Sequence, residues 1–112
     1  MIQQMTGLRA WILQRLTALY MAGYLPYILG VWVLRRPDDY AGWVAMMSDP
    51  VTATANLLFF AAVLVHCWVG VRDVILDYAP STPLRLALLA LLGLWLVGMG
   101  LWAARVLIAV MA

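Results

Sequence analysis

The sequence contains no lysine and no glutamate, and it has only one cysteine and one histidine among its 112 residues. Charged residues make up 11% of the chain and hydrophobic residues 67%. A soluble domain has about 25% charged and about 45–50% apolar residues, so this chain has too little polar surface for a water-soluble globule. Its net charge of +2 is small and scattered, and we therefore expect no nucleic acid partner. The lone Cys67 excludes an internal disulfide.

Three apolar runs lie between charged residues, at positions 16–34, 51–71 and 86–104. Each has about 20 residues, which at about 1.5 Å per residue is enough to cross a hydrocarbon core of about 30 Å. Lipid offers the backbone no hydrogen bonds, and the runs show no period-two alternation, so they are expected to be helices. The sequence therefore predicts an all-α integral membrane protein with three transmembrane helices.

We expect one membrane-anchor domain over residues 1–112, because the connections between the runs are short. The first connection is polar at both ends but apolar at residues 40–47, which predicts a short helix lying in the membrane interface. No stretch looks like a removable signal peptide, so the first spanning helix is expected to direct insertion. The predicted spanning helices lie at about residues 8–35, 51–78 and 83–110.

Small residues recur four positions apart in the first and third predicted spans. They are Ala18 with Ala22, and Gly100 with Ala104. Residues at this spacing share one helix face, and their small size lets neighbouring membrane helices approach closely. We expect them to pack within the chain, although three helices enclose little and partner subunits are expected as well.

His66 is the only histidine and lies well inside the second span. Ionisable residues inside a membrane are costly and usually face protein or a cavity. A stripe at helical spacing runs from His66 toward the second connection, through Gly70, Asp73 and Asp77. Ala62 and Gly70 put little bulk beside the imidazole, which would leave room for a flat ligand. Two interpretations stay open: an axial haem ligand, with the second ligand from methionine or another chain, or a neutral histidine bonded to a neighbouring helix.

Three further residues could bind a cofactor. Tyr78 lies twelve residues after His66, about 18 Å along a helix, and so belongs at the water interface together with Asp77. These two residues could form part of a site, or they could be an ordinary interfacial tyrosine and a solvated aspartate. Arg15 opens the first span, where its guanidinium could pair with a haem propionate or a quinone oxygen, or could simply reach the lipid headgroups.

The segment from His66 to Tyr78 resembles the signature of the hydrophobic membrane anchor subunits of succinate dehydrogenase, respiratory complex II. That signature is a histidine, a glycine four residues later and an Asp-Tyr pair eleven and twelve residues later, and this chain has all four. Arg15-Leu16-Thr17-Ala18 resembles a second element of the family, Arg-x-Thr-Ala. The chain departs from the pattern at Arg72-Asp73, where a more neutral pair is expected.

The resemblance implies a role for each matching residue. His66 would be one axial ligand of a haem b shared with the cytochrome b anchor subunit, which would supply the second histidine. Tyr78 would donate a hydrogen bond to ubiquinone, Asp77 would support that tyrosine or the proton path, and Arg15 would lie near the haem propionates and the quinone. The iron–sulfur and flavoprotein subunits would dock on the cytoplasmic side.

The resemblance also implies a location, the bacterial inner membrane, with the N-terminus in the cytoplasm. Counting arginines favours this orientation only slightly, because four lie on the N-terminal side and three on the other. Three alternatives stay open for the function. They are the anchor of a quinol:fumarate reductase, a cofactor-free structural or assembly membrane protein, and a small transporter, although no span carries an acidic residue at mid-depth.

Overall fold

The computed structural model of the chain describes the backbone of residues 2–111 and the side chains of residues 7–111. This part of the chain is helical, without strands, and contains the helices α1 (Ile2–Arg35), α2 (Tyr40–Ser48), α3 (Pro50–Tyr78) and α4 (Thr82–Met111). Three of the helices, α1, α3 and α4, are long and apolar enough to cross a membrane. The prediction of an all-α membrane protein with three spans and a short helix in the first connection is therefore confirmed.

Helix α1 is longer than its apolar run suggests. It begins at Ile2, whereas the sequence indicated a start near residue 8. An apolar run marks the part of a helix that lies in hydrocarbon, and the helical backbone can continue beyond it into the interface. Pro26 lies inside α1 without ending it, as membrane helices tolerate.

The first connection is fixed by caps at both ends of α2. Arg36 adopts a positive φ of 45° and ends α1. The Asp39 carboxylate then accepts a hydrogen bond of 2.7 Å from the Gly42 backbone N–H at the start of α2. Asp49 accepts from the Thr52 N–H at 3.2 Å to start α3, and it also pairs with Arg35 at 3.4 Å. These contacts fix the path of the chain from α1 through α2 into α3.

The second connection is tight and is held by the chain's own polar groups. Helix α3 ends at Tyr78, and the Arg85 Nε donates a 2.9 Å hydrogen bond to the Ala79 carbonyl. Ser81 caps the last helix, because its hydroxyl accepts a hydrogen bond of 3.4 Å from the Leu84 backbone N–H. This arrangement brings α4 back against α3.

Helix α3 is the centre of the bundle. It packs against α1 on one side and α4 on the other, and α2 lies against α3 and α4. Among residues 7–111, the buried apolar residues are few, namely Met46, Ala53, Val69 and Ala79. Many large apolar side chains are exposed on the outside of a body measuring 51 × 25 × 19 Å, as expected for helices that face lipid or partner subunits.

Candidate functional site

The interface between α1 and α3 is lined by hydrogen-bonding side chains at membrane depth. We call this set the polar seam, and it comprises Thr17, Tyr20, Tyr24 and Tyr27 from α1 with Thr52, Asn56 and His66 from α3. Polar side chains in hydrocarbon are satisfied by neighbouring helices. The two helices are antiparallel neighbours, so these contacts follow one another along the interface from one end of the span toward the other.

His66 is held at one position of this seam by Thr17. The His66 Nδ1 lies 3.0 Å from the Thr17 Oγ1. The same Oγ1 lies 2.7 Å from the Leu13 carbonyl and 3.1 Å from the Gln14 carbonyl, one helical turn earlier. The imidazole is therefore part-buried against α1, with one ring nitrogen engaged by a side chain of that helix.

The space beside Gly70 is occupied. A Cβ placed on Gly70 would come within 3.0 Å of the Gln14 Nε2. The Gln14 amide of α1 therefore fills the space that the missing side chain of Gly70 leaves on α3. Gly70 thus allows α1 and α3 to approach each other.

The other contacts of the polar seam connect the second half of α1 with the first half of α3. Tyr24 donates to the Asn56 side-chain oxygen, and the Asn56 Nδ2 lies 3.1 Å from the Met47 Sδ of α2. The Tyr20 hydroxyl donates to the Ala55 carbonyl at 2.7 Å. Sequence analysis missed these residues, although the spacing of the three tyrosines, 20, 24 and 27, places them on one face of α1 and could have signalled a polar interface.

Tyr78 and Asp77 lie apart from the seam. Tyr78 is the last residue of α3 and its side chain is 81% exposed, while Asp77 is exposed beside it. Because α3 is continuous from Pro50 to Tyr78, Tyr78 lies about 18 Å along the axis from His66. The structure thus brings neither residue to the imidazole.

Arg15 is exposed on the outside of α1. Its guanidinium carbon lies 5.5 Å from the centre of the Trp11 ring, which is cation–π geometry. No ion pair involves Arg15 within the part of the chain described at side-chain level. The guanidinium is therefore available to a group outside this chain.

Arg72 and Asp73, the pair that departs from the family pattern, form a contact of 3.3 Å with each other. They line a cavity of about 410 Å³ between α1 and α3, together with Trp11 and Gln14. Within residues 7–111, the Gln14 Oε1 and the Arg72 Nε are buried without a hydrogen-bond partner. The polar character of the α1/α3 interface therefore continues beyond His66 toward this end of the helices.

The candidate ligands are too dispersed for a metal site made by this chain alone. Among residues 2–111, no three His, Cys, Asp or Glu side chains come together as a metal-binding group. His66 is therefore a candidate for one ligand only, and a haem iron bound to it would take its second axial ligand from a methionine or from another chain.

The fold and the placement of His66 define a class, a small three-span membrane subunit with one candidate axial ligand. The model of the succinate dehydrogenase/fumarate reductase transmembrane subunit family matches residues 1–101, and the chain belongs to this family. It is also similar to the succinate dehydrogenase hydrophobic membrane anchor subunit of Coxiella burnetii (strain RSA 493 / Nine Mile phase I), with 34% identity over 101 residues. That alignment covers 90% of this chain and 88% of the relative.

Proposed function

We propose that this chain is the membrane anchor subunit of a bacterial succinate:ubiquinone oxidoreductase. In this role it holds the flavoprotein and iron–sulfur subunits on the inner membrane, pairs with a cytochrome b anchor subunit, and contributes to the haem b and ubiquinone sites. Membership of the family and the similarity to a named anchor subunit support the assignment to complex II. The observation that carries the haem assignment is the contact between His66 and Thr17.

The chemistry of His66 fits an axial ligand. A ligating histidine uses one ring nitrogen for the metal and donates its other N–H to a nearby oxygen, which fixes the tautomer and the ring orientation. The His66 Nδ1 has such an oxygen at 3.0 Å in Thr17. A haem b bound at this position would supply a one-electron redox centre to the complex. The part of this chain is to hold the imidazole, neutral and oriented, at membrane depth.

The quinone part of the proposal rests on the exposed end of α3. The phenol of Tyr78 is a hydrogen-bond donor at the water interface, where a quinone carbonyl oxygen can reach it. Asp77 stands beside it as a proton acceptor, and the unpaired guanidinium of Arg15 can reach a propionate or a quinone oxygen of a neighbouring site. Protons for quinone reduction would enter at this end of the bundle.

The proposed orientation has the N-terminus in the cytoplasm. It puts Tyr78, Asp77 and the connection between α3 and α4 on the same side as the iron–sulfur subunit. Cysteines introduced as Gln4→Cys and Val110→Cys, in a Cys67→Ser background, should be labelled from opposite sides of the inner membrane. Labelling of both from one side would rule out an odd number of spans.

The haem assignment is tested by the spectrum of the purified complex. Wild-type complex should show low-spin haem bands on reduction, and His66→Ala should lose or strongly alter them. Cys67→Ala is a matched control, because Cys67 is the next residue but lines the apolar cavity on the α4 side of α3. If His66→Ala leaves the spectrum and the haem potential unchanged, His66 is a structural histidine of the polar seam and the assignment fails.

The anchor of a quinol:fumarate reductase remains the second candidate, because the matching family includes both enzymes. The two differ in the direction of electron flow and not in the type of site. Comparing succinate–ubiquinone and quinol–fumarate turnover of the same purified complex distinguishes them.

A further inference from the structure

Thr17 makes three contacts through one hydroxyl oxygen. Its Oγ1 lies 2.7 Å from the Leu13 carbonyl, 3.1 Å from the Gln14 carbonyl and 3.0 Å from the His66 Nδ1. We propose that Thr17 is a positioning residue for the haem ligand: its hydroxyl accepts the Nδ1–H of His66 and keeps Nε2 free to bind iron. The proposal rests on His66 being the axial ligand.

The direction of the bond follows from counting protons. A threonine hydroxyl has one proton and two lone pairs, whereas a backbone carbonyl can only accept. The shortest of the three contacts is to the Leu13 carbonyl, so the hydroxyl proton points there. Toward His66 the oxygen is left as an acceptor, and Nδ1 must therefore carry the proton. In a neutral imidazole the other nitrogen, Nε2, then has the lone pair that binds a metal.

The position of the hydroxyl is itself fixed by the helix. Threonine has few side-chain rotamers in a helix, and one of them is stabilised by a bond to the carbonyl one turn earlier. Thr17 adopts this arrangement. The His66 ring is therefore oriented by the backbone of α1 although it belongs to α3. Within the side chains described, Nδ1 of His66 has a hydrogen-bond partner and Nε2 has none.

The expected consequence is electronic as well as geometric. An imidazole that donates its second N–H to an oxygen is a more basic ligand, and it stabilises ferric over ferrous iron. Removing the acceptor should favour the ferrous state. We expect Thr17→Val to change the ferrous-to-ferric ratio at a given potential by threefold to tenfold. The tenfold limit corresponds to a rise of about 59 mV in the midpoint potential of a one-electron couple.

The experiment compares three variants in the assembled complex by redox titration and low-temperature electron paramagnetic resonance of the haem. Thr17→Val should raise the midpoint potential and shift the low-spin signal. Thr17→Ser keeps the hydroxyl and should restore both. Thr54→Val is the matched control, because the Thr54 hydroxyl donates to the Pro50 carbonyl one turn earlier at 2.8 Å but contacts no histidine. It should behave as the wild type.

The outcomes separate this role from the haem assignment. A wild-type potential and signal in Thr17→Val, with the haem lost in His66→Ala, would overturn the role of Thr17 and leave the ligand in place. An unchanged spectrum in His66→Ala would overturn the ligand and this role together. If Thr17→Val does not assemble, Thr17→Cys keeps a weaker acceptor and must shift the potential in the same direction. An unshifted Thr17→Cys complex would then overturn the proposal.

Discussion

The two faces of α3 are packed in different ways. Toward α1, helix α3 presents Thr52, Asn56 and His66, each in a side-chain hydrogen bond with a residue of α1. Toward α4, no side-chain hydrogen bond joins the two helices among residues 7–111. Leu64 packs over Gly100 instead, and Trp68 approaches Gly93. Helix α3 therefore has one face that is held by hydrogen bonds and one face that is held by apolar packing.

The difference indicates why the candidate ligand lies toward α1. Hydrogen bonds fix both register and side-chain direction, which an axial ligand requires, whereas apolar packing of small residues allows sliding and separation. An apolar cavity of about 560 Å³ lies on this side of α3, and its lining includes Phe60, Leu64 and Trp95. We expect substitution of the seam residue that contacts His66, Thr17, to affect cofactor properties, and substitutions toward α4 to affect packing alone.

Among these predictions, we expect the largest effect from a substitution of Tyr78, which belongs to neither of the two faces of α3, and the quantity affected is the rate of ubiquinone reduction. Its phenol should bond to a quinone carbonyl oxygen more strongly as charge builds on that oxygen. Losing one such donor costs about 1–3 kcal/mol, or roughly fivefold to 150-fold in rate. Tyr78→Phe should therefore depress ubiquinone reduction by this factor, while succinate oxidation with a soluble dye and the haem spectrum stay normal.

The control for Tyr78→Phe is Tyr40→Phe, because Tyr40 is a similarly exposed tyrosine at the start of α2. Each variant is assayed with ubiquinone and with the soluble dye side by side, and the two activities are compared. Equal loss in both assays would mean defective assembly, and normal ubiquinone turnover would mean that Tyr78 is an ordinary interfacial residue. Normal ubiquinone turnover would remove the quinone from this end of α3.

The second prediction tests the apolar packing of α3 against α4. A Cβ on Gly100 would come within 2.8 Å of the Leu64 Cδ1, whereas a Cβ on Gly98 would meet nothing within 4 Å. Gly100→Ile should force α3 and α4 apart and destabilise the chain by about 1–3 kcal/mol, as overpacking usually does. Gly98→Ile should have little effect. The measurement is the temperature at which the chain aggregates in the detergent-purified complex, read on immunoblots, and equal midpoints for the two variants would contradict the packing described here.

Sequence analysis predicted the spans well because their physical signal is strong. Runs of about 20 apolar residues between charges have few alternative structures in lipid, and the interfacial helix was marked by polar ends around an apolar middle. The prediction that the small residues spaced four apart pack within the chain holds for one helix and not for the other. Gly100 does receive a side chain of α3, but Ala18 and Ala22 are exposed on the outer surface and do not pack within the chain.

The partners of His66 could not be derived from the same signals. Which side chain meets His66 depends on the register between α1 and α3, and hydrophobicity is nearly uniform around both helices. Thr17 lies in the Arg-x-Thr-Ala element, but only the folded arrangement brings its hydroxyl within 3.0 Å of the ring. The contact between Gln14 and Gly70 could not be derived for the same reason, because Gln14 comes from another helix.

The smallest effect is expected at the far end of the polar seam, where the Tyr27 hydroxyl lies 3.2 Å from the Thr52 Oγ1. Hydrogen bonds between membrane helices average about 0.6 kcal/mol in double-mutant cycles, because the separated helices find other partners. Combining Tyr27→Phe with Thr52→Val should therefore lower the aggregation midpoint by less than the sum of the two single effects, and the difference should be small, in keeping with a coupling of about 0.6 kcal/mol. The haem spectrum should be unchanged, since His66 is held by a different contact.

Thr54→Val provides the control for this cycle. Thr54 lies two residues from Thr52 but is exposed and bonds to its own helix, so its coupling to Tyr27→Phe should be zero. A coupling of similar size for both threonines would mean that the tyrosine acts on α3 as a whole. The seam would then be a general polar surface, and the contrast between the two faces of α3 would lose its basis in individual hydrogen bonds.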